Sequence, residues 1–439
     1  MLIKPKGTID LYDKEANIWR MVEEVVTKVM NNYNYNYIRT PLFESSELFH
    51  RSVGESSDIV TKETYDFKDR GDRDLTLRPE GTAGVVRSYI ENKMYSKSDL
   101  TKVYYFGTMY RYERPQKGRN REFSQYGVEV LGGNDSMIDA LVIALSYNIL
   151  KELGLYSIVV KINSLGNNTT RNNYKEALVK YLDKSIDKLC DDCQNRIKTN
   201  PLRILDCKID KDSDVLKNAP KMNDYLDKPS SERFNKVLEY LDILGIKYEV
   251  DSNVVRGLDY YNDTVFEIED LNIKGSQKVL CGGGRYDNLV KELDGPDTPA
   301  FGFATGIERV VSAIKEETID KVDNTIDLYL LYVNEIEKKY GIYLTQELRN
   351  KGYKVELNYE DRSLKSQFKS VDRLNPKYSC VLNSEELDNN EITIKDNINK
   401  SSETISLDAI IYYLEEKLVD EDITIVEEDY EEEDYLDEE

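Results

Sequence analysis

Between Thr101 and Gly133 the chain reads TKVYYFGTMYRYERPQKGRNREFSQYGVEVLGG, two strand-like runs joined by a basic loop. Residues two apart in a strand share a face. Arg111 and Glu113 therefore point one way before a turn at 115–120, and Phe123, Gln125, Gly127 and Glu129 do so after it. A guanidinium fork suits a phosphate, an open aromatic ring suits a nucleobase, and a carboxylate suits an N–H donor or a small cation. One face of one hairpin thus offers the parts of a recognition surface. An exposed hairpin laced by cross-strand ion pairs has the same spacing, and the hairpin alone leaves that alternative open.

Other stretches carry similar residue types. In DLTLRPEGT (74–82), Leu75 and Leu77 alternate into a core, and the turn after them presents Glu80 and Thr82 at a strand end, where sites are often built. A capped loop is the plainer reading. VVRGLDYY (254–261) sets Arg256, Tyr260 and Tyr261 before a strand expected at Thr264–Ile268. CGGGRYD (281–287) brings Tyr286 after three glycines, which let backbone approach a ligand closely but fit neither a Walker loop nor a dinucleotide fingerprint. AFGFATGIER (300–309) opens a helix expected to reach about residue 315, with Gly302 and Gly306 thinning its first turns so that Arg309 can lie over a ligand. Cys190 and Cys193, with Cys207 further on, are half a zinc site without a fourth ligand, and the expectation is reduced thiols and no metal. The single histidine, His50, excludes HExxH zinc sites, Ser-His-Asp triads and Cys-His pairs unless each falls on that residue. Acid–base work is left to carboxylates or to the substrate.

The elements that must position these residues are legible from periodicity. Ile18, Val22, Val25, Val26 and Val29 predict a helix over Lys14–Asn32 capped by Asp13, followed by a strand at 37–41 that Pro41 ends. A helix over Ser136–Leu153 is capped by Asp135 or Ser136 and stopped by Gly154, and Ile158, Val160 and Ile162 mark a strand at 157–163. Residues 167–244 turn helical, polar and irregular, broken by Pro201, Pro220 and Pro229, and read as an inserted helical module. Near Thr325 a new α/β unit begins, with strands at 326–333 and 353–359 and helices at 342–351 and 363–374. The last of these has Leu364, Phe368 and Val371 on one side and Arg362, Lys365, Lys369 and Arg373 on another. A solvated face is the commoner meaning of such a stripe; contact with RNA phosphates is the other.

Composition bounds the class. The 439 residues suit about three domains at roughly 150 residues each, and no apolar run approaches the roughly 18 residues of a membrane span. The start, MLIKPKGTID, does not resemble a signal peptide, and five cysteines make an odd count, so a cytoplasmic protein with reduced thiols is expected. The net charge of −23 is uneven: thirteen acids and no base lie between Val419 and Glu439, leaving −10 on the rest. Local basic patches remain able to bind nucleic acid, and the acidic end is expected to be disordered.

Taken together, these residues resemble the histidyl-tRNA synthetases, a family of class II aminoacyl-tRNA synthetases. The resemblance runs from Met1 to about Leu418: the hairpin resembles the second class II motif, 301–309 the third, and the helix-to-Pro41 segment the first, while 256–261 and 281–287 resemble the two histidine-specific loops. It implies an α+β fold: an antiparallel sheet flanked by helices in a catalytic domain (1–324), with the helical insertion inside it. A C-terminal α/β anticodon-binding domain (325–418) and the acidic tail (419–439) would follow. It further implies a homodimer that uses ATP and Mg2+ to join L-histidine to tRNA(His). Carried over, Arg111 and Arg256 hold the α-phosphate, and Phe123 and Arg309 sandwich the adenine. Glu113 reads the adenine edge, and Arg119 lies near the outer phosphates. Glu80, Thr82 and Gln125 take the histidine α-amino group, Glu129, Tyr260, Tyr261 and Tyr286 line the imidazole site, and Gln116 meets the tRNA acceptor end. Ser124 and Tyr112 stand where many members have histidine, and the tail lies outside the family pattern. The alternative within the same fold is a histidine-sensing regulatory subunit of ATP phosphoribosyltransferase that charges nothing; Arg111, Arg256, Arg309 and the C-terminal domain oppose it.

Overall fold

Apolar residues three and four apart place Ile18, Val22, Val26 and Val29 on the buried side of the first helix, Asp13–Asn32. It begins at Asp13 itself, without a side-chain cap, so the expected capping role of Asp13 is not seen. The computed structural model describes residues 2–418 apart from 55, 56, 58, 116, 117, 200, 206, 208, 211, 212 and 315–324. It divides into two units, residues 1–319 and 320–439. The acidic segment 419–439 and Gln116 lie outside the described residues.

The first unit carries β1 (Asn36–Tyr37), β2 (Phe43–Ser45), β3 (Tyr65–Lys68), β4 (Asp74–Leu77), β5 (Thr101–Tyr110), β6 (Glu122–Leu131), β7 (Ile158–Ser164), β8 (Tyr248–Val250), β9 (Asn262–Asp270), β10 (Val279–Arg285) and β11 (Ala300–Gly306). Eight of them form one sheet in the order β1-β5-β6-β11-β10-β9-β7-β8, antiparallel except where β1 meets β5 and β7 meets β8. β2, β4 and β3 make a separate three-stranded sheet. Strand alternation divides the large sheet into two faces. Tyr126, Val128 and Val130 of β6 join the core with the helices Asp13–Asn32 and Ser136–Glu152, while Phe123 and Leu131 face the opposite cluster with Tyr105 and Tyr286. That second face carries the site.

Three expectations shift. The strand expected at 37–41 ends at Tyr37; past the Ile38 N–H, which still donates to the Tyr104 carbonyl (2.9 Å), the chain turns to Arg78, whose buried guanidinium donates to the Thr40 carbonyl (3.2 Å). Ala300–Gly306 is a strand, and the helix starts only at Ile307 and runs to Ala313. Gly302 therefore does not thin a helical turn; it faces β6, where an added Cβ would stand 2.0 Å from the Glu129 carboxylate. Between β7 and β8 the chain forms helices at Asn168–Leu182, Asp191–Thr199, Asp214–Lys217 and Lys228–Ile243. The last of these buries Phe234, Val237 and Leu241 in the same core as the helix Ser136–Glu152.

The second unit has β12 (Leu328–Tyr332), β13 (Val355–Leu357), β14 (Tyr378–Leu382), β15 (Glu391–Asp396) and β16 (Ser402–Ser406) in the order β13-β12-β14-β15-β16. The first three are parallel neighbours and the last two extend the sheet antiparallel. The helix expected from residue 342 starts at Glu335, because Asn334 and Glu337 form a capping box seven residues earlier, the Asn334 N–H donating to the Glu337 carboxylate at 3.0 Å. The helix Leu364–Leu374 buries Gln367, Ser370 and Val371. Phe368 is 38 % exposed and so is not the core residue its spacing predicts. Arg362, Lys365, Lys369 and Arg373 are exposed, Arg362 lying against Glu360.

Candidate active site

The β5–β6 hairpin pairs Tyr110 with Glu122, and the ladder closes with the Arg111 N–H on the Arg121 carbonyl (2.9 Å). Beyond Tyr110 the chain leaves strand geometry, so Arg111 and Glu113 reach the site from the hairpin's end and not from a continuing strand. A cavity of about 820 Å³ opens there. Its walls bring together Glu80, Thr82, Arg111, Glu113, Arg119, Phe123, Gln125, Arg256, Tyr260, Tyr261 and Arg309, residues drawn from four separated stretches of chain.

Each of the four arginines in the wall is held. Arg111 donates its Nε to the Pro79 carbonyl (2.9 Å) and its guanidinium lies 5.3 Å from the centre of the Phe123 ring. Arg119 pairs with Glu113 (3.1 Å), Arg256 with Glu267 (2.5 Å), and Arg309 donates to the Val279 carbonyl (2.8 Å). Burial and then the nearby Arg119 charge lower the Arg309 pKa, the signature of cations gathered where an anion would relieve them. Gly282 makes room for Arg256: an added Cβ would stand 2.4 Å from its Nη1.

At the deep end, Glu129 and Tyr286 are 1 % exposed and stand behind the wall, not in it. Thr82 donates its hydroxyl to one Glu129 oxygen (2.7 Å) and the Tyr286 hydroxyl donates to the other. Desolvation outweighs these hydrogen bonds and pushes the Glu129 pKa up to about 8. Tyr260, Tyr261 and Tyr286 pack as a ring cluster, with centroids 4.6, 5.5 and 6.5 Å apart. Glu80 caps the helix Thr82–Glu91, accepting from the Thr82 N–H (2.7 Å) and the Ala83 N–H (2.8 Å), so the plain capped-loop reading holds alongside its place in the cavity. Burial raises its pKa as well.

Sequence reasoning missed Tyr105, Glu267 and Glu308. Tyr105 pairs across the hairpin with Gly127, and a Cβ on Gly127 would fall 2.3 Å from its hydroxyl; the space that glycine leaves is filled by this ring. Counting back across the turn could have found it. Glu267 is a charge in the middle of the apolar strand TVFEI, which is itself a signal. Glu308 accepts the Ser124 N–H (2.8 Å), so Ser124 acts there through its backbone. Tyr112 instead packs under Arg121, whose guanidinium lies 3.9 Å from the ring centre. The Tyr105 hydroxyl, Gln125 Oε1 and Arg256 Nε are buried at the cavity without a hydrogen-bond partner among the described residues. A polar ligand satisfies such atoms.

Comparison with known proteins gives the site a context. A family model described as histidyl-tRNA synthetase matches residues 7–310, and one described as an anticodon binding domain matches residues 327–417. The chain is 47% identical over 421 residues to the histidine–tRNA ligase of Staphylococcus haemolyticus, covering 95% of this chain and 100% of that one. It is 47% identical over 418 residues to that of Bacillus cytotoxicus, covering 94% and 99%. The crystal structure of apo Staphylococcus aureus histidyl-tRNA synthetase superposes with a TM-score of 0.79 at 41% identity, covering 94% of this chain and 100% of that one.

The raised Glu129 pKa has a stability consequence. The folded chain keeps this proton up to about pH 8, whereas an unfolded chain loses it near the ordinary carboxylate value. The stabilisation is therefore fully present below the unfolded pKa and is lost as pH rises through the folded one. Urea unfolding of the unliganded protein from about pH 5 to about pH 8.5 should show Glu129→Gln losing less stability with rising pH than wild type. Parallel curves would contradict the assignment.

Proposed function

The chain belongs to the histidyl-tRNA synthetase family, and on that premise we propose how its residues carry out the family's reaction, the ATP-driven joining of histidine to tRNA. The histidine carboxylate attacks the α-phosphorus of ATP, giving histidyl-adenylate and pyrophosphate. A hydroxyl of the terminal tRNA adenosine then takes the histidyl group and AMP leaves. Neither step needs a protein nucleophile, only alignment and positive charge where negative charge grows. A chain with one histidine can meet both requirements.

The observation that carries this reading is the meeting of Arg111, Arg256 and Arg309 with Glu80, Thr82 and Gln125 around one cavity. Arg111, its plane set by the Pro79 carbonyl, takes the α-phosphate, and Arg256, steadied by Glu267, stabilises the charge that develops there. Phe123 and Arg309 hold the adenine between them. Glu113 reads its edge and Arg119 moves to the outer phosphates, exchanging their mutual pairing for ligand contacts. Glu80, Thr82 and Gln125 take the α-amino group. The tyrosine cluster encloses the imidazole, with Glu129 behind it as the negative end of the site; an approaching imidazole N–H favours the ionised form of that carboxylate. Polar groups buried for one partner penalise apolar amino acids, a discrimination of about 10⁴ or more. The cavity wall offers carboxylate oxygens, Glu267 and Glu269 among them, that would hold Mg2+ if released from Arg256 and Lys278, and the ion would supply positive charge against the outer phosphates.

ATP–pyrophosphate exchange tested with each standard amino acid should proceed with histidine alone; histidine binding without exchange would point to the regulatory alternative. In the same assay under single-turnover conditions, Arg256→Ala should lower adenylation by roughly 10²–10³, about 2.7–4 kcal/mol. A rate within about threefold of wild type would remove Arg256 from that role.

Residues 325–418, within the second unit, are the proposed anticodon-binding domain, with Arg362, Lys365, Lys369 and Arg373 against RNA phosphates; Gln116 is proposed to meet the acceptor end. Lys365→Glu with Lys369→Glu should weaken binding of tRNA(His) and reduce its dependence on log salt by about one unit per lost contact. An unchanged salt slope would return that helix face to plain solvent exposure. We place the enzyme in the cytoplasm as a homodimer. Tyr37, Leu42, Phe43 and Phe67 are exposed, and Phe43 meets Phe67 edge-to-face at 6.2 Å, an apolar surface suited to a second copy. Sedimentation should give the mass of two chains; a single-chain mass at assay concentration would refute the dimer.

A further inference from the structure

Outside the active-site cavity, the helical segment between β7 and β8 gathers three thiols and a carboxylate. Cys190 immediately precedes the helix Asp191–Thr199, Cys193 lies in its first turn, and Cys207 and Asp210 follow the short turn Pro201–Ile204. The four ligand atoms all lie within 4.8 Å of one another. Cys190 Sγ and Cys207 Sγ are 3.7 Å apart, and Cys207 Sγ and Asp210 Oδ2 are 3.8 Å apart. Sulfur and oxygen ligands about 2.3 Å and about 2.0 Å from one tetrahedral zinc stand roughly 3.5–3.8 Å from each other. We propose that Cys190, Cys193, Cys207 and Asp210 form a structural site for Zn2+.

Three further observations support this. First, the chain pattern is two matched turns, Cys190-x-x-Cys193 and Cys207-x-x-Asp210, thirteen residues apart. This is the paired-knuckle layout of four-ligand zinc sites with aspartate in the last place. Reading thiols and imidazoles alone leaves the fourth ligand out, which is why the sequence suggests only half a site. Second, backbone donors orient the ligands. The Cys190 N–H donates to Asp210 Oδ2 (3.0 Å) and the Asp210 N–H to Cys207 Sγ (3.5 Å), the outer contacts that set ligand direction around a metal. Third, Cys193, Cys207 and Asp210 are buried, so the three thiols and the carboxylate are gathered largely away from solvent. A carboxylate facing three thiols in that setting matches a divalent cation.

Ligand chemistry selects the ion and its role. Thiolates favour zinc over magnesium or calcium, and four protein ligands fill a tetrahedral shell, leaving no position for a substrate. On binding, each coordinating thiol gives up its proton to solvent and forms a Zn–S bond. The metal joins the helix Asp191–Thr199 to the segment carrying Leu205, a residue of the active-site cavity wall, and so braces that wall from outside.

The test is metal analysis of the full-length chain, purified with reductant and without chelator, then supplied with Zn2+ and passed through gel filtration. About one zinc per chain should be retained, with X-ray absorption showing three sulfurs at about 2.3 Å and one oxygen at about 2.0 Å. Cys190→Ser with Cys207→Ser should lose the metal. Asp210→Cys guards against a variant that fails only by misfolding: it should keep one zinc and change the shell to four sulfurs. The proposal is overturned if wild type retains no stoichiometric zinc, if the double variant retains it, if the shell contains nitrogen in place of these sulfurs, or if Asp210→Cys leaves the shell unchanged. A Cys190–Cys207 disulfide in metal-free protein isolated without oxidant would overturn it as well.

Discussion

A carboxylate that is 1 % exposed has to be satisfied from inside the protein, and Glu129 sets that demand at the centre of the first unit. Its partners come from three distant parts of the chain. Thr82 arrives at the start of the helix Thr82–Glu91, Tyr286 follows β10, and Gly302 of β11 supplies only the absence of a side chain. The hairpin, the turn after β4, the glycine-rich strand β10 and β11 thus meet at one carboxylate. Any shift of β6 against β11 by a single residue would turn Glu129 to the opposite face and break all three relationships at once.

Nearer the mouth of the cavity, charge is arranged in moderated pairs. Glu113 beside Arg119 and Glu267 beside Arg256 offset part of the repulsion among four arginines gathered around one space. On the proposed reading Arg111, Arg256 and Arg309 are held in place before a polyanion arrives and only Arg119 exchanges its partner, so little reorganisation is left for the moment of reaction. Preorganisation also explains the backbone carbonyls of Pro79 and Val279: each fixes one edge of a guanidinium and leaves the remaining donors to the cavity.

What could be read from the sequence follows from what is local. Period-two spacing put Phe123, Gln125 and Glu129 on one face, because alternation belongs to the strand itself. Helices over Asp13–Asn32 and Ser136–Glu152 followed from period 3.6 in the same way. Tertiary partners were not legible. Nothing near Gly302 says that it makes room for a carboxylate from β6, so its two glycines suggested a thinned helix where the chain forms a strand. Nor does periodicity reveal that the wall of the cavity stops short of Glu129 and Tyr286, since depth depends on how strands β6, β10 and β11 stack their side chains. Asp210 was invisible as a ligand for a related reason: an aspartate in an acidic, lysine-rich segment looks like surface until the fold brings three thiols to it.

The glycine-rich strand shows how one face of the sheet disciplines the other. Arg285 is fully buried and donates Nε to Asp139 (3.2 Å) and Nη1 to Asp287 (3.0 Å), with Asp139 presented by the helix Ser136–Glu152. A register irregularity falls between Gly284 and Arg285. Adjacent strand residues point to opposite faces, so holding Arg285 toward the helix turns Tyr286 toward Glu129. Breaking such a buried pair by removing one partner typically costs about 3–5 kcal/mol, whereas replacing both with apolar groups is often neutral. An apolar pair could supply comparable stability but not a bidentate direction. The ion pair is therefore better understood as setting which way β10 faces than as holding the domain together, and the aim of Tyr286 at Glu129 rests on a contact on the far side of the sheet.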